Sequence, residues 1–322
     1  MKEGSSLTPE EVASILNIAK NTVYELIKRG ELTAYRVGRK LRVDLQDVET
    51  YKKKGKKLES LPSNITAGTG SLTQQIETSL EGDQSSSSQR LVICGQDVIL
   101  DVLARHLERH PNDTRAFRHH VGSLSGLLAL YQGKAHLASS HLWDGDNDIY
   151  NLTYVRYILC GIPSVIIHMA CRMQGFYVAK GNPKGIKTWQ DLTRPDLVLI
   201  NREKGCGTRV LLDEQIRKLG LDRKQISGYE KEENSHLAVA SAVSRGEADV
   251  ALGHEKASLQ VRGIDFVPLQ KERFELVIKK EDMEKLPFQA VIEILQSREF
   301  KNELQGLGDY DLTELGDIIA EV

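Results

Sequence analysis

The 322-residue sequence has few cysteines, few aromatic residues and no long apolar run. Its four cysteines are scattered and none forms a C-x-x-C pair, so we expect reduced thiols, no disulfide framework and no metal site. No apolar segment approaches the roughly 18 residues that a membrane-spanning helix needs. The N-terminal segment MKEGSSLTPEEVASILNIAK also lacks the apolar core of a signal peptide. We therefore expect a cytoplasmic protein without a membrane partner.

Net charge is also nearly absent, at −2, but the charges are unevenly distributed. Residues 1–57 hold 13 Lys and Arg against 8 Asp and Glu, whereas residues 58–322 hold the remaining 30 basic and 37 acidic residues. A basic head on an acidic body indicates that the N-terminal part faces polyanionic DNA. Residues 58–89 include eight Ser and no Lys or Arg, a composition typical of a flexible linker. We predict a DNA-binding domain at 1–57, a linker at 58–89 and a ligand-sensing domain at 90–322.

The basic head has the pattern of a small three-helix domain with a hairpin. A capping box at residues 8–11 begins a first helix, and a second helix is predicted for residues 20–29. Strand-like segments at 32–37 and 41–43, joined by a basic turn, form a wing. A third helix follows the wing. This order predicts a winged helix-turn-helix.

The segment LTPEEVASILNIAKNTVYELIKRGEL, followed by RVGRKLRV, resembles the excisionase-like, MerR-like class of DNA-binding domains. In this geometry the second helix enters the major groove of double-stranded DNA and the wing contacts phosphates, so affinity falls as salt rises. Domains of this size usually read two half-sites, which predicts a homodimer. The predicted DNA-binding residues are Lys20, Asn21, Thr22 and Tyr24 on the helix and Arg36, Arg39, Lys40 and Arg42 on the wing.

From residue 91 onward, short apolar strands alternate with amphipathic helices, which predicts an α/β fold. Three strand-to-helix turns, at 122–126, 205–209 and 234–236, have Gly or hydroxyl residues where the helix begins. Free backbone N–H groups and the positive end of the helix dipole at such turns suit an anion. Ser and Thr are also ordinary helix N-caps, so each turn taken alone has a purely structural explanation.

Long segments between residues 90 and 280 resemble the molybdate-binding-protein-like regulators, among them GSLSGLLALYQGKAHLASSHLWD, INREKGCGTRVLLDEQI and GYEKEENSHLAVASAVSRGEADVALG. In that family a helix-turn-helix is fused to a type II periplasmic-binding-protein fold. The resemblance implies one lobe at about 90–178 plus 268–322, a second at about 179–267, and a ligand in the cleft between them. It implies molybdate or tungstate as the effector. The ligand-binding residues that it points to are Ser123, Ser125, Thr208, Arg209, His236, Ser140 and His141.

These patterns predict a ligand-responsive bacterial transcription regulator that senses a small anion, with no catalytic activity and no prosthetic group. Gln96 and Cys206 depart from the small residues that the family tends to have at these positions, so a small organic carboxylate is an alternative ligand. An enzyme is a further alternative, with Cys206 as nucleophile and His236 or His141 as base.

Overall fold

The computed structural model describes residues 6–16, 18–28, 32–37, 40–45, 47–48, 51, 90–112, 114–308 and 310–322. The chain divides into two compact units, Met1–Gln84 and Ser85–Val322, and each is considered by itself. The linker predicted at 58–89 lies outside the described residues. No helix in the described part of the chain is long and apolar enough to cross a membrane.

The first unit has the predicted helix-turn-helix and wing. Thr8 and Glu11 form the capping box of the first helix, because the Glu11 N–H donates to Thr8 Oγ1 at 3.3 Å and the Thr8 N–H donates to Glu11 Oε2 at 2.7 Å. The elements are β1 (Ser6–Leu7), α1 (Pro9–Leu16), α2 (Lys20–Lys28), β2 (Tyr35–Val37) and β3 (Lys40–Asp44). The antiparallel strands have the order β1-β3-β2. Their buried core consists of Val12, Ala13, Val23, Leu26, Leu32, Val43 and Val48.

The second unit is an α/β domain built on a mixed sheet, as predicted. Its strands are β4 (Arg90–Cys94), β5 (Arg115–His119), β6 (Leu137–Ser140), β7 (Trp143–Asp144), β8 (Ile149–Tyr150), β9 (Ser164–Ala179), β10 (Leu199–Arg202), β11 (Glu232–Glu233), β12 (Val250–His254), β13 (Ile264–Lys279) and β14 (Ile318–Glu321). The sheet order is β11-β10-β12-β9-β13-β6-β4-β5, and β14 also pairs with β9.

Helices cover both faces of this sheet. They are α3 (Val98–Arg109), α4 (Ser123–Tyr131), α5 (Leu152–Ile158), α6 (Gly207–Lys218), α7 (His236–Ser244), α8 (Glu255–Ser258), α9 (Leu286–Gln296) and α10 (Arg298–Leu307). Each lobe therefore has an apolar layer on each face of its part of the sheet. This double covering is why the inner strands read as continuous apolar runs.

Two long strands, β9 and β13, cross from one lobe to the other. They pair antiparallel along their whole length, from Ile264 opposite Ala179 to Lys279 opposite Ser164. On β9, residues up to Ala170 pack in the first lobe and residues from Phe176 onward pack in the second. On β13, Leu269 still packs against the second lobe. The lobes therefore meet near residues 171–175 and 270–273, so the boundaries expected at 178/179 and 267/268 both fall inside the second lobe.

The β7–β8 hairpin is a third link between the lobes. It leaves the first lobe at Leu142, whose N–H donates to Asn151 Oδ1 and whose carbonyl accepts from the Asn151 N–H, each at 2.8 Å. Its Trp143 is buried in the apolar core of the second lobe. The Lys218 ammonium of α6 donates to the Gly145 carbonyl at 3.1 Å. The hairpin thus begins in one lobe and is held by the other.

Candidate functional site

A small enclosed cavity lies where the two lobes meet. Its volume is about 10 Å³, which is room for roughly one water molecule. A tetrahedral oxyanion therefore needs the lobes to move apart before it can enter. The lining consists of Gly95, Gln96, Asp97, Val121, Gly122, Ser123, Ser139, His141, Arg172, Cys206, His236, His254 and Phe274.

Two sets of hydrogen bonds join the lobes beside this cavity. The Leu124 N–H, in the first turn of α4, donates to the Gly205 carbonyl at 3.0 Å. Gln96, in the loop after β4, accepts a bond from Arg202 Nη2 at 2.6 Å. The Arg202 side chain is fully buried, and its Nη1 has no hydrogen-bond partner among the described residues. Gln96, one of the departures from the family pattern, thus bonds one lobe to the other.

Two glycines allow the helix starts to approach this closely. A Cβ atom added to Gly122 would lie 3.0 Å from the Cys206 Cα atom, closer than ordinary contact. A Cβ atom added to Gly207 would lie 2.6 Å from the His141 imidazole ring. The glycines of the two predicted turns therefore permit lobe closure, in addition to beginning their helices.

The floor of the cavity is a buried ion network on the crossing strands. Arg172 lies directly opposite Glu272 in the β9–β13 pairing and forms ion pairs with both Glu272 and Asp97. Glu272 Oε2 is also 2.9 Å from His141 Nδ1, and the Arg172 guanidinium stacks 4.6 Å from the Phe274 ring centre. Burial disfavours the charged forms, but the ion pairs outweigh it. The pKa of Asp97 and Glu272 lies below its usual value, and that of Arg172 above it.

Two histidines face each other in the second lobe, with ring centres 4.2 Å apart in an edge-to-face arrangement. The His254 Nδ1 accepts the Ala257 N–H at 3.3 Å and so caps α8. Burial and the charge of Arg172 lower the pKa of His254 to about 3. Burial, His254 and Arg202 lower the pKa of His236 well below its usual value. Both rings are therefore neutral at pH 7 in this closed form, and His236 Nδ1 has no hydrogen-bond partner in the described part of the chain.

The seven ligand-binding residues predicted from the sequence are divided by the structure. The cavity lining includes Ser123, His141 and His236. Ser125 is exposed on α4, and the Ser140 side chain is fully buried on β6. Thr208 is buried and its Oγ1 accepts from Gln174 Nε2 at 3.4 Å. The lining thus lacks Ser125, Ser140, Thr208 and Arg209.

Arg209 is placed differently from the expectation that its charge faces the anion. Its Nε is 3.2 Å from Asp213 Oδ1, and its Nη1 is 3.2 Å from Glu232 Oε1. The guanidinium also stacks 4.3 Å from the Tyr229 ring centre. The cause is local, because a helical Arg meets the residue four positions further on, and here that residue is Asp213. The Arg209 charge is already balanced within the second lobe.

Sequence reasoning missed Arg172 and Glu272. Arg172 lies in a long strand of largely apolar residues, SVIIHMACRMQGFYVA, whereas Glu272 lies between Lys271 and Arg273 in IDFVPLQKERFELVIK and gave no comparable signal. A charge in a strand that is buried on both faces needs a partner of opposite sign, because an unpaired buried charge is very costly. That signal was present in the sequence. Asp97 and His254 gave a weaker signal in the sequence, because each is also explained as the N-cap of a helix.

The described members of the predicted DNA-binding set lie on α2 and on the two strands of the wing. On α2, Lys20 forms an ion pair with Glu10 and lies 5.9 Å from the Tyr24 ring centre. Arg42 is half-buried, with Nη1 3.5 Å from the Ser6 carbonyl oxygen. Arg39 lies outside the described residues. The exposed members of the set are Lys20, Asn21, Thr22, Tyr24, Arg36 and Lys40.

Two family models match the chain. One, for a PBP superfamily domain, matches residues 104–296, and the other, for a helix-turn-helix domain, matches residues 6–56. The chain belongs to the PBP superfamily. It carries an N-terminal helix-turn-helix domain of the excisionase-like type. A DNA-binding domain joined to a PBP-like domain fits a ligand-responsive DNA-binding regulator.

One relative matches the chain over its full length, and another matches about a third of it. The chain is 40% identical over 321 residues to the uncharacterized protein YvgK of Bacillus subtilis (strain 168), with 100% of both chains covered. It is 60% identical over 113 residues to an uncharacterized protein in the ferredoxin 2Fe-2S gene 5′ region of Clostridium pasteurianum, a match that covers 35% of this chain and 100% of that one.

Two solved structures are similar in fold. One is a phosphate ABC transporter substrate-binding protein with bound phosphate from Clostridium perfringens, with 15% identity, a TM-score of 0.52, and 69% of this chain and 99% of that one covered. The other is an H2O2-bound OxyR mutant from Corynebacterium glutamicum, with 14% identity, a TM-score of 0.52, and 93% and 89% covered. At this level of identity the likeness is one of fold alone.

Proposed function

We propose that the chain is a transcription regulator whose sensor domain binds a small oxyanion, molybdate or tungstate, in the cavity between the lobes. The observation that carries the proposal is the cavity lining. It brings the first turn of α4, the loop before α6 and the first residue of α7 to one enclosed point. Backbone N–H groups at helix starts, with the hydroxyl of Ser123 and the nearby imidazoles, are the donors that an oxyanion needs.

The proposed mechanism is a shift between open and closed lobes. The cavity of this closed form is too small to hold an oxyanion, so the lobes must move apart to admit the ligand and must remain further apart around it than they are here. A ligand shifts this equilibrium only by the difference in its affinity for the two forms. We propose that the shift changes the DNA affinity of the helix-turn-helix domains in a cytoplasmic homodimer, because domains of this size usually read two half-sites.

The proposal assigns no catalytic role to Cys206. Its thiol is buried, and burial raises its pKa, whereas a nucleophilic cysteine needs a stable thiolate. Within the described residues, no group of three or more His, Cys, Asp and Glu side chains is placed to hold a metal ion.

Calorimetric titration of the full chain with molybdate, tungstate, sulfate and a small dicarboxylate tests the ligand class. We expect tight binding of molybdate or tungstate and weaker binding of sulfate. If only the dicarboxylate gives a heat of binding, the ligand is an organic carboxylate and not an oxyanion. Ser123→Ala removes a hydroxyl that lines the cavity, whereas Ser125→Ala removes an exposed hydroxyl two residues away. Equal affinities of these two variants would contradict the proposed site.

A second arm tests regulation. Promoter DNA from the chain's own gene neighbourhood is titrated with the full protein, with and without saturating molybdate. We expect the ligand to change the dissociation constant for DNA in the wild type and to have a smaller effect in Ser123→Ala. A DNA affinity that does not respond to bound ligand would contradict a sensing role.

A further inference from the structure

The fixed charges described around the cavity do not favour an anion. Two guanidinium groups, of Arg172 and Arg202, are outnumbered by three carboxylates, of Asp97, Glu272 and Glu203. Without the imidazoles, these five charges sum to −1. A dianion would therefore meet a net negative environment, in an interior where Coulomb interactions are stronger than in water. Oxyanion binding requires another positive charge.

His236 is the residue that can supply this charge. Its ring lines the cavity, only 8% of the residue is exposed, and its Nδ1 has no hydrogen-bond partner among the described residues. A buried polar atom without a partner is rare in proteins and needs an explanation. An anion held in the cavity would provide both the missing partner and the favourable electrostatic field for an imidazolium.

The other two imidazoles are already engaged. His254 Nδ1 accepts the Ala257 N–H, so protonation at that atom would remove the cap of α8. His141 Nδ1 lies 2.9 Å from the Glu272 carboxylate. His236 has no comparable commitment at Nδ1, which distinguishes it from its neighbours.

The groups that surround His236 determine its protonation. Ser235 precedes it on its own helix, and the cavity lining adds Gln96, Asp97 and Cys206. Burial opposes the protonation of His236 most strongly. The next contributions come from His254 on β12, Arg202 on β10, Arg172 on β9 and His141 after β6. The carboxylate of Glu272 on β13 is already paired with Arg172 and His141. A dianion beside the ring would reverse this balance.

We propose that His236 takes up one proton from solvent at Nδ1 when the oxyanion binds and donates that N–H to the anion, while His254 stays neutral. The inference rests on the proposed function, because it names the residue that neutralises the ligand in the same cavity. One proton leaves the buffer for each anion bound, and no covalent bond forms or breaks.

This coupling fixes the sign of the pH dependence. His236 is neutral in the free closed form and protonated in the complex, so lowering the pH favours the complex. Between the two pKa values of His236, affinity rises about tenfold for each unit by which the pH falls. At a pH above the pKa that His236 has in the complex, affinity no longer changes with pH through this residue.

The test is a calorimetric titration of the full chain with molybdate from about pH 6 to about pH 8, the range in which a histidine ordinarily titrates. Molybdate itself does not titrate in this range, and micromolar concentrations keep it monomeric. Two buffers of different ionisation enthalpy report the number of protons taken up. We expect about one proton per anion bound in the wild type, and an affinity that rises as the pH falls.

Three variants locate the proton. His236→Gln keeps an amide donor that does not titrate, so binding should be weaker and should lose most of its pH dependence. His254→Asn keeps a capping side chain and should retain the pH dependence, as should His110→Gln, at the opposite end of α3 from Asp97. Circular dichroism establishes that each variant is folded, and His236→Asn replaces His236→Gln if the latter is not.

The outcomes separate the two proposals. Tight molybdate binding without proton uptake, or a full pH dependence that persists in the folded His236 variant, overturns the role of His236 and leaves oxyanion sensing intact. A folded wild-type protein that binds no oxyanion at any pH overturns the proposed ligand class, and with it this inference.

Discussion

The main-chain N–H of Leu124 donates to the carbonyl oxygen of Gly205 at 3.0 Å, which bonds the start of α4 in one lobe to the loop before α6 in the other. This bond and the 2.6 Å bond from Arg202 to Gln96 form only when the lobes are closed. Each therefore contributes to the equilibrium between open and closed forms, and the equilibrium can be shifted by changes at this contact without altering the core of either lobe.

Gly207→Ala should hold the lobes apart. The added methyl group would lie 2.6 Å from the His141 ring, so closure would require the ring or the α6 backbone to shift. Because this tightly closed form excludes the ligand, we expect ligand affinity to rise by up to about tenfold, which corresponds to about 1.4 kcal/mol, and the radius of gyration measured by X-ray scattering to rise. Gly306→Ala, on α10 with open space around it, is the matched control. Unchanged affinity in Gly207→Ala would show that the lobes do not need this contact.

Arg172→Met should destabilise the sensor domain. Removing the guanidinium leaves Asp97 and Glu272 buried without their shared partner, and breaking such a pair costs about 3–5 kcal/mol of the free energy of unfolding. Urea denaturation measures this difference. Arg217→Ala, on the exposed side of α6, removes an arginine paired with Asp146 and should have a much smaller effect. Similar losses in both variants would argue against a special role for the crossing-strand network.

The same network should make the domain sensitive to acid. The pKa of Asp97 and Glu272 is lowered in the folded state, so the unfolded state binds protons at a higher pH. The resulting stability is fully present above about pH 5, beyond the unfolded pKa of both carboxyl groups, and is lost progressively as the pH falls toward their folded pKa. Urea midpoints measured at several pH values should show this fall in the wild type. Arg172→Met should show less of it, because its carboxylates lose the charge that lowers their pKa.

Arg36→Ala combined with Lys40→Ala should weaken DNA binding and reduce its dependence on salt. Both side chains are exposed on the wing strands. Each phosphate contact contributes a slope of about 0.9 in a plot of log affinity against log salt concentration, so the slope should fall by about 1 to 2. Lys134→Ala with Lys187→Ala removes the same charge from exposed positions on the sensor domain. A slope equal to that of this control would exclude the wing from DNA binding.

The sequence predicts the α/β sensor and the helix-turn-helix well, because both depend on local patterns. Capping at Thr8, apolar strands and Gly-containing turns are visible within short windows. The site is harder to predict, because it depends on which residues meet across the sheet. Arg172 and Glu272 are opposite each other only through the register of β9 and β13, and a single sequence does not reveal that register.

Arg209 shows the same limit of prediction from a single sequence, because it is a predicted ligand-binding residue that does not line the cavity. It follows a Gly-rich turn at a helix start, which is a reasonable place for an anion-binding arginine. Its side chain instead pairs with Asp213 and Glu232 in the second lobe. The direction of a long side chain depends on the carboxylates within its reach, and Glu232 is brought near Arg209 through the parallel pairing of β10 and β11.

The β7–β8 hairpin has a consequence for the way the sensor moves. A ribbon of two paired strands can bend and also twist, so two lobes joined by β9 and β13 alone could swivel in several directions. The hairpin is rooted at Asn151 in one lobe and anchored through Trp143 in the other, and it lies beside that ribbon, because its Tyr150 hydroxyl accepts from Gln270 Nε2 of β13 at 2.9 Å. A third connection beside the two strands widens the link between the lobes, which opposes twisting and leaves bending as the easier motion. The sensor should therefore open by a hinge motion about a single axis.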